Sequence, residues 1–435
     1  SAGDRIALNL PNILEQIFYI LAAQRLGGIY TPVFGGFSAK TLSDRIHDAG
    51  AKVVITADGG YRNAEVVSYK SAYADPALDY YVPRPAALQA LSETLKSRLP
   101  ADVAERLETQ VTEAVAGEIT LERADVMREL GLALERERGT APEIIAELRT
   151  TVASELASVS HAVTNVIVVR YTGNDIVEHS RDRWSHDLVA EVEAAFLEDA
   201  GVADRASLDS LDDNAFWKAV GATIPAVPVE ANWPLFIIYT SGSTGKPKGV
   251  VHTHGGWLSG ITHTMRTVFN ANQDDCLYVI GDPGWITGQS YLIAAPLAFG
   301  MSTVIAEGSP LFPHAGRFAS IIERNQVTLF KAGSTFLKAV MTDPASTQEM
   351  SRYDMTTLKV GTFCAEPVSP AVQKFAMENI CSHYINSYWA TEHGGIVFSC
   401  PWGEFKPLEA DAKTWPLPWI QAQVRIVEET NDTGS

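Results

Sequence analysis

The chain has 435 residues, of which 46% are hydrophobic, and a formal net charge of −18. That length exceeds what one ordinary compact domain needs and predicts two or three packed subdomains around a sizeable core. The acidic balance, with no basic stripe against it, excludes nucleic acid and anionic membrane as partners, so any anionic substrate has to be held by local groups.

In chain order, β-rich runs at Arg5 to Leu10, 29 to 33 and 53 to 56 alternate with amphipathic stretches near 13 to 25 and 39 to 48. The alternation predicts a parallel sheet flanked by helices, an α/β fold. No basic segment followed by an apolar run opens the chain, and the apolar stretch Ile17 to Ala23 is too short to span a bilayer. A soluble, cytoplasmic protein is expected. From about Pro83 to Thr150 the texture changes to Ala, Leu, Glu and Arg, which predicts helices. Leu88, Leu91, Leu95 and Leu99 form one stripe, Val103, Leu107, Val111 and Val115 another, and Thr140-Ala-Pro-Glu143 reads as a capping box for a third helix. Such stripes ordinarily face a core.

Strand texture returns at Val166 to Arg170, and a second series of strand candidates begins at Leu235 to Thr240 and continues at 276 to 280, 301 to 305, 327 to 330, 357 to 362 and 383 to 387. The organisation read from this is a first α/β part over 1–82, a helical insertion over 83–150, a return to the first part over 151–234, a second α/β subdomain over 235–395 and the start of a β-rich subdomain over 396–435. Cys276, Cys364, Cys381 and Cys400 lie far apart without a CxxC pair, which predicts reduced thiols rather than a disulfide or zinc framework. His252, His254 and His393 invite a metal reading. No carboxylate or cysteine completes a set, and an HxH pair on a strand needs no metal to point both rings to one face.

The strongest chemical signal is Tyr239 to Gly249 (YTSGSTGKPKG), a loop directly after an apolar strand. Gly242 and Gly245 let backbone N–H groups approach a polyphosphate, Thr240, Ser241, Ser243 and Thr244 add hydroxyls, and Lys246 and Lys248 add charge. A Walker A loop is excluded, because two residues rather than four separate the glycines and Pro247 follows Lys246. The loop resembles the signature of the adenylate-forming superfamily, which joins acyl-CoA synthetases, luciferases and peptide-synthetase adenylation domains. Phe34 to Ser38, Ala51 to Arg62, Asp282 to Tyr291 and Tyr388 to Glu392 are similar to acetyl-CoA synthetases in particular, in the family's order.

That resemblance implies ATP, Mg²⁺ and coenzyme A as cofactors, and roles for matching residues. Thr391 would meet the adenylate α-phosphate, Glu392 the magnesium ion and Lys246 the phosphates, the three catalytic candidates. Thr240 to Gly245, Lys248, Ala365-Glu366-Pro367 and Asn386-Ser387-Tyr388-Trp389-Ala390 would line the nucleotide, with Ala365 where the family has glycine. Trp285, Ile286, Thr287 and Trp389 match the acyl pocket, whose last indole restricts the acid to a short one, and Thr287 is the candidate partner for a substrate hydroxyl. Arg62 with Phe34, Gly35 and Gly36 match the CoA site, although Glu65 and Leu311 replace two of its polar contacts.

The resemblance also implies that a ribose-binding Asp, a hinge and a small C-terminal domain with a catalytic Lys follow the segment Val424 to Ser435, so a piece of a longer protein is expected. The added helices and Asn386 to Gly394 resemble the ligase portion of propionyl-CoA synthases, in which dehydratase and reductase domains follow and the acid is 3-hydroxypropionate. The partners implied are a short carboxylic acid, further domains of a fused chain and, as an assembly, a homodimer. A phosphate-loop kinase or NTPase is disfavoured by the glycine spacing. The alternative from another class is a catalytically silent adenylate-binding or scaffolding domain.

Overall fold

The structure is a computed structural model and describes residues 1–116, 120–137, 141–158, 163–202, 212–240, 248–366, 368–400 and 414–417. The chain divides into two compact units, the first made of Ser1–Pro11 and Phe18–Pro228, the second of Asn12–Ile17 and the chain from Val229 onward.

In the first unit the strands Arg5–Asn9, Ile29–Pro32, Val53–Ala57 and Asn165–Val169 are all parallel, with Arg5–Asn9 between Ile29–Pro32 and Val53–Ala57. Asn165–Val169 pairs on its other edge with the short parallel strand Asp182–Trp184. The β-branched runs read from the sequence are the sheet's interior: Ala7, Leu8, Val54, Ile55, Val166 and Val168 are all buried. Helix Ala39–Ala49 lays Leu42 and Ile46 on the same core, with Ser38 capping its start and Gly50 closing its end in the left-handed conformation.

Between Val53–Ala57 and Asn165–Val169 the chain makes a helical module of Arg84–Arg98, Ala101–Ala114, Arg123–Arg136 and Pro142–Ser158. The stripes predicted as core-facing meet one another: Leu91, Leu95, Leu107 and Val111 are fully buried, with Val126, Leu130 and Leu134 from the third helix and Leu148, Val152 and Leu156 from the fourth. These stripes are therefore consumed in the module's own core and are not free to dock elsewhere. A small antiparallel hairpin of Tyr81–Pro83 with Thr120–Glu122, not foreseen in the sequence, ties the module's first and third helices. Thr140 of the expected capping box lies outside the described residues, and the fourth helix begins at Pro142, where a ring locked near helical φ suits the first turn.

In the second unit, five parallel strands run in the order Ser302–Val304, Cys276–Val279, Leu329–Gly333, Val360–Cys364, Tyr384–Tyr388, and the short strands Phe398–Ser399 and Trp415–Pro416 extend the last edge antiparallel. One face packs Phe330, Ala332 and Phe363 against Phe318, Ile322, Phe336 and Leu337 from helices Gly316–Asn325 and Ser334–Thr342. The antiparallel pair Pro234–Thr240 and Lys248–Thr253 leads into helix His254–Thr267. Both units are α/β with parallel sheets, as the alternating sequence pattern predicts. Among the described residues no helix is long and apolar enough to cross a membrane.

Candidate functional site

Open parallel sheets present ligand-binding loops at the carboxyl ends of their strands. In the second unit, three groups of candidates arise there. Gly281 to Thr287 follows Cys276–Val279, Ala365 and Glu366 follow Val360–Cys364, and Trp389 to Glu392 follow Tyr384–Tyr388. Asn386 and Ser387 lie in that last strand, Ser387 buried and Asn386 half-buried, while Tyr388 projects outward at 54% exposure.

The turn carrying Thr391 and Glu392 is fastened from several sides. His252, at the end of the hairpin strand and buried, donates from Nε2 to the Thr391 carbonyl at 2.8 Å. Burial holds this imidazole below its ordinary pKa, and the carbonyl fixes the tautomer with the proton on Nε2. The Ala390 N–H donates to His393 Nδ1 at 3.0 Å. Just beyond, the Gly394 carbonyl accepts from both Trp257 Nε1 at 3.1 Å and Ser290 Oγ at 2.5 Å. The clamp leaves Glu392 exposed and Thr391 half-buried.

The acyl-pocket candidates sit on an unusual turn. After Asp282, residues Ile286 and Thr287 begin a helix that widens into a π-helical segment over Gly288–Ala294. Such widened turns re-aim side chains and recur at functional sites. Gly288 is required by close approach: a Cβ there would stand 2.2 Å from the Asp282 carbonyl oxygen. The segment buries Tyr291, whose hydroxyl shares a hydrogen bond with Thr264 Oγ1 and accepts the Ile396 N–H, both at 2.9 Å. Trp389, only 9% exposed, meets the Tyr291 ring edge-on at 5.2 Å between centroids. Ile286 is buried, Thr287 half-buried, and Trp285 exposed at 43%, so the first of the four candidates stands out from the core rather than within it. Asp282 accepts the Gly284 N–H at 2.7 Å, yet desolvation outweighs this bond and pushes its carboxyl up to about 7.

Ala365 has φ of +82°, the left-handed region that L-residues avoid. The structure thus turns the Ala-for-Gly departure into a local strain. The next residue, Glu366, donates its N–H to Ser334 Oγ and pairs its carboxylate with Lys338 at 2.8 Å, which holds the carboxyl below its usual range. Of the phosphate-loop candidates, Thr240 ends one hairpin strand half-buried and Lys248 opens the other exposed. Ser241, Gly242, Ser243, Thr244, Gly245 and Lys246 lie outside the described residues, as does Pro367.

The CoA candidates belong to the first unit. Gly35 packs beneath Tyr69, where a Cβ would meet the tyrosine hydroxyl at 2.2 Å, and Phe34 makes an edge-to-face pair with Phe37 at 5.4 Å. Gly36 is exposed. Arg62, exposed, lies on the hairpin Gly60–Arg62 with Glu65–Val67, directly opposite Glu65.

Sequence reasoning missed His252, Trp257, Ser290 and Tyr291 as the groups that position the turn. It set His252 and His254 on one strand, whereas the strand ends at Thr253 and His254 opens the next helix. Among the described residues no cluster of three or more His, Cys, Asp or Glu could hold a metal. An exposed Glu392 alone suits a hard divalent cation that takes its remaining ligands from water and phosphate oxygens.

The chain matches the family model described as AMP-binding enzyme over residues 1–134 and 147–434, the unmatched stretch falling in the helical module. It is 31% identical to an acetyl-coenzyme A synthetase of Cupriavidus pinatubonensis, across 98% of this chain and 49% of that protein. It is likewise 31% identical to acetyl-coenzyme A synthetase 2 of Pseudomonas putida, across 96% of this chain and 48% of the relative, and 29% identical to acetyl-coenzyme A synthetase 1 of Candida albicans, across 98% and 47%. The chain spans about half the length of the curated relatives it matches. The family model's coverage of both units is what decides the assignment: this chain belongs to the AMP-binding enzyme family.

Proposed function

We propose that the chain is the large core of an AMP-forming acid–CoA ligase, which uses ATP, Mg²⁺ and coenzyme A to convert a short carboxylic acid into its thioester. The observation that carries this reading is the clamped Thr391–Glu392 turn, which follows Trp389 at the carboxyl end of a parallel strand in a chain of the AMP-binding family. A carboxylate is a poor electrophile, because its charge repels nucleophiles and oxide does not leave. In the reaction, an acid oxygen attacks the ATP α-phosphorus and pyrophosphate departs. The CoA thiol then attacks the acyl carbon, its proton goes to solvent, and AMP departs.

No protein nucleophile is needed, so catalysis consists of positioning and electrostatic stabilisation. Thr391 donates its hydroxyl to the α-phosphate, and the Ser/Thr/Gly loop with Lys246 takes the departing phosphates. Neutral His252 contributes no charge to the site and fixes the turn by its hydrogen bond to the Thr391 carbonyl. Glu392 would hold the magnesium ion, which supplies charge neutralisation on the phosphates. Trp389 limits the acid's length, and Arg62 with the Phe34–Gly36 loop contacts the CoA nucleotide. The narrower reading is a 3-hydroxypropionate ligase within a propionyl-CoA synthase-like fusion. It is favoured by the helical module, part of which falls outside the family model's match.

Analysis of nucleotide products tests this. Incubation of the full-length protein that carries this sequence with ATP, CoA and propionate or 3-hydroxypropionate is expected to yield AMP and pyrophosphate, and Glu392→Ala to lose at least about tenfold in rate. ADP as the product, or no acid dependence, contradicts the proposal.

A further inference from the structure

Lys331 is a buried ionisable group for which the adenylation steps have no use. It lies in the middle of strand Leu329–Gly333 with 0% exposure. Its neighbours Phe330 and Ala332 point into the phenylalanine-rich core on one face of the sheet, so strand alternation sends Lys331 to the other. There the side chain reaches across the adjacent strand. Nζ donates to Ser387 Oγ at 2.8 Å and, at the long distance of 3.4 Å, to Thr362 Oγ1, with the Cys364 thiol beside it. Ser387 in turn donates to the Phe363 carbonyl at 2.7 Å, which leaves its oxygen lone pairs to the lysine.

Two aromatic faces complete the surroundings: the rings of Tyr291 and Trp389 lie 5.0 and 5.3 Å from Nζ. Among the described residues Lys331 makes no ion pair. An amine with three donor positions thus has one good acceptor and two weak ones, in a site where desolvation of a cation is costly and only partly offset by cation–π contact. Burial accordingly lowers its pKa. A methionine would fill the same volume without that cost, so the amine is out of place as simple packing.

We propose that Lys331 is a specificity-determining residue forming a second, polar barrier behind Trp389. The indole limits acid length, and the amine behind it rejects any apolar chain that passes. The inference rests on Trp389 being the floor of the acyl pocket. Removing the indole then uncovers an amine rather than an apolar tunnel, and the enlarged pocket accepts acids whose far end carries a hydrogen-bond acceptor, a hydroxyl or a second carboxylate. Methylenes placed against the amine leave its donors unpaired and gain little from burial.

The test is acid-dependent ATP–pyrophosphate exchange by the full-length protein as wild type, Trp389→Gly and Trp389→Gly with Lys331→Met, using hexanoate, 6-hydroxyhexanoate and adipate. For Trp389→Gly alone, kcat/KM should favour 6-hydroxyhexanoate or adipate over hexanoate by about tenfold or more, and the double variant should reverse the order. Preference for 6-hydroxyhexanoate indicates a neutral acceptor and preference for adipate an anionic one. Trp389→Gly taking hexanoate as well as the double variant does overturns the role of Lys331, while absence of exchange by the wild type with propionate, run alongside as the short-acid control, overturns the ligase reading instead. Should Trp389→Gly fail to fold, Trp389→Leu with reductive methylation of Lys331, read by peptide mass spectrometry, decides the matter. Protection in wild type and modification in the variant support the barrier, and protection in both refutes it.

Discussion

Replacing Asp282 with asparagine isolates the electrostatic cost of the segment that carries Trp285, Ile286 and Thr287. Among the described residues the Asp282 carboxyl has one hydrogen bond, from the Gly284 N–H, and burial moves it from 3.8 to about 7. Because the folded value lies above the unfolded one, the folded state keeps its proton where the unfolded state has lost it. The associated stability is fully present below about pH 3.8 and is lost as pH rises through about 7. At 1.36 kcal/mol per tenfold change in proton affinity the full displacement is worth about 4 kcal/mol, and the carboxyl's partial contact with solvent reduces this to about 2. Asparagine keeps the acceptor for Gly284 and has no charge to bury. Denaturant unfolding of wild type and Asp282→Asn at pH 4 and pH 8 should give near-equal stability at the lower pH and an advantage of about 2 kcal/mol for the variant at the higher. A difference that does not change with pH refutes the claim that Asp282 is ionised at a cost.

Three further outcomes follow from the same geometry. His252→Ala removes the donor to the Thr391 carbonyl, worth about 1 to 3 kcal/mol, so pyrophosphate exchange should fall by about tenfold or more, mainly in kcat, with partial recovery in His252→Gln. Ala365→Gly relieves a φ of +82° and should stabilise the protein by about 0.5 to 1 kcal/mol in denaturant unfolding, since the strain relieved exceeds the flexibility gained when unfolded. Lys331, whose folded pKa is lowered, binds fewer protons folded than unfolded; stability of the wild type should therefore rise with pH toward 10.5, and the advantage of Lys331→Met should shrink between pH 7 and pH 10.

Much of the fold was legible because its signals are local. In VVIT at 53 to 56 the successive residues Val54 and Ile55, which face opposite sides of the sheet, are both buried, as in a parallel strand between two neighbours, so the run shows no apolar–polar alternation. The leucine stripes near 91 and 107 repeat at helical spacing and end in one another's company. The hairpin Tyr81–Pro83 with Thr120–Glu122 was not legible: each strand has three residues, and the pairing is made by helices that lie between them in sequence. In the site, Thr391, Glu392 and Trp389 were found through a family resemblance rather than through spacing, since a Thr-Glu pair alone reads as a helix start. The groups that hold the turn escaped because His252, Trp257 and Ser290 act across long stretches of sequence, and no local pattern pairs a histidine ring with a carbonyl at 391. Lys331 gave no signal for the same reason. A lysine among β-branched and aromatic residues ordinarily marks an exposed or edge position, and only the packed sheet shows it enclosed by Ser387, Tyr291 and Trp389.

The most direct measurement is acid-dependent exchange of labelled pyrophosphate into ATP by the full-length protein, scanned over unbranched acids of two to six carbons. Exchange that requires an acid, is strongest for the shorter ones and collapses in Glu392→Ala is the predicted result. Exchange that ignores the acid, or that survives unchanged in Glu392→Ala, contradicts the assignment of this turn as the place where the acyl-adenylate is made.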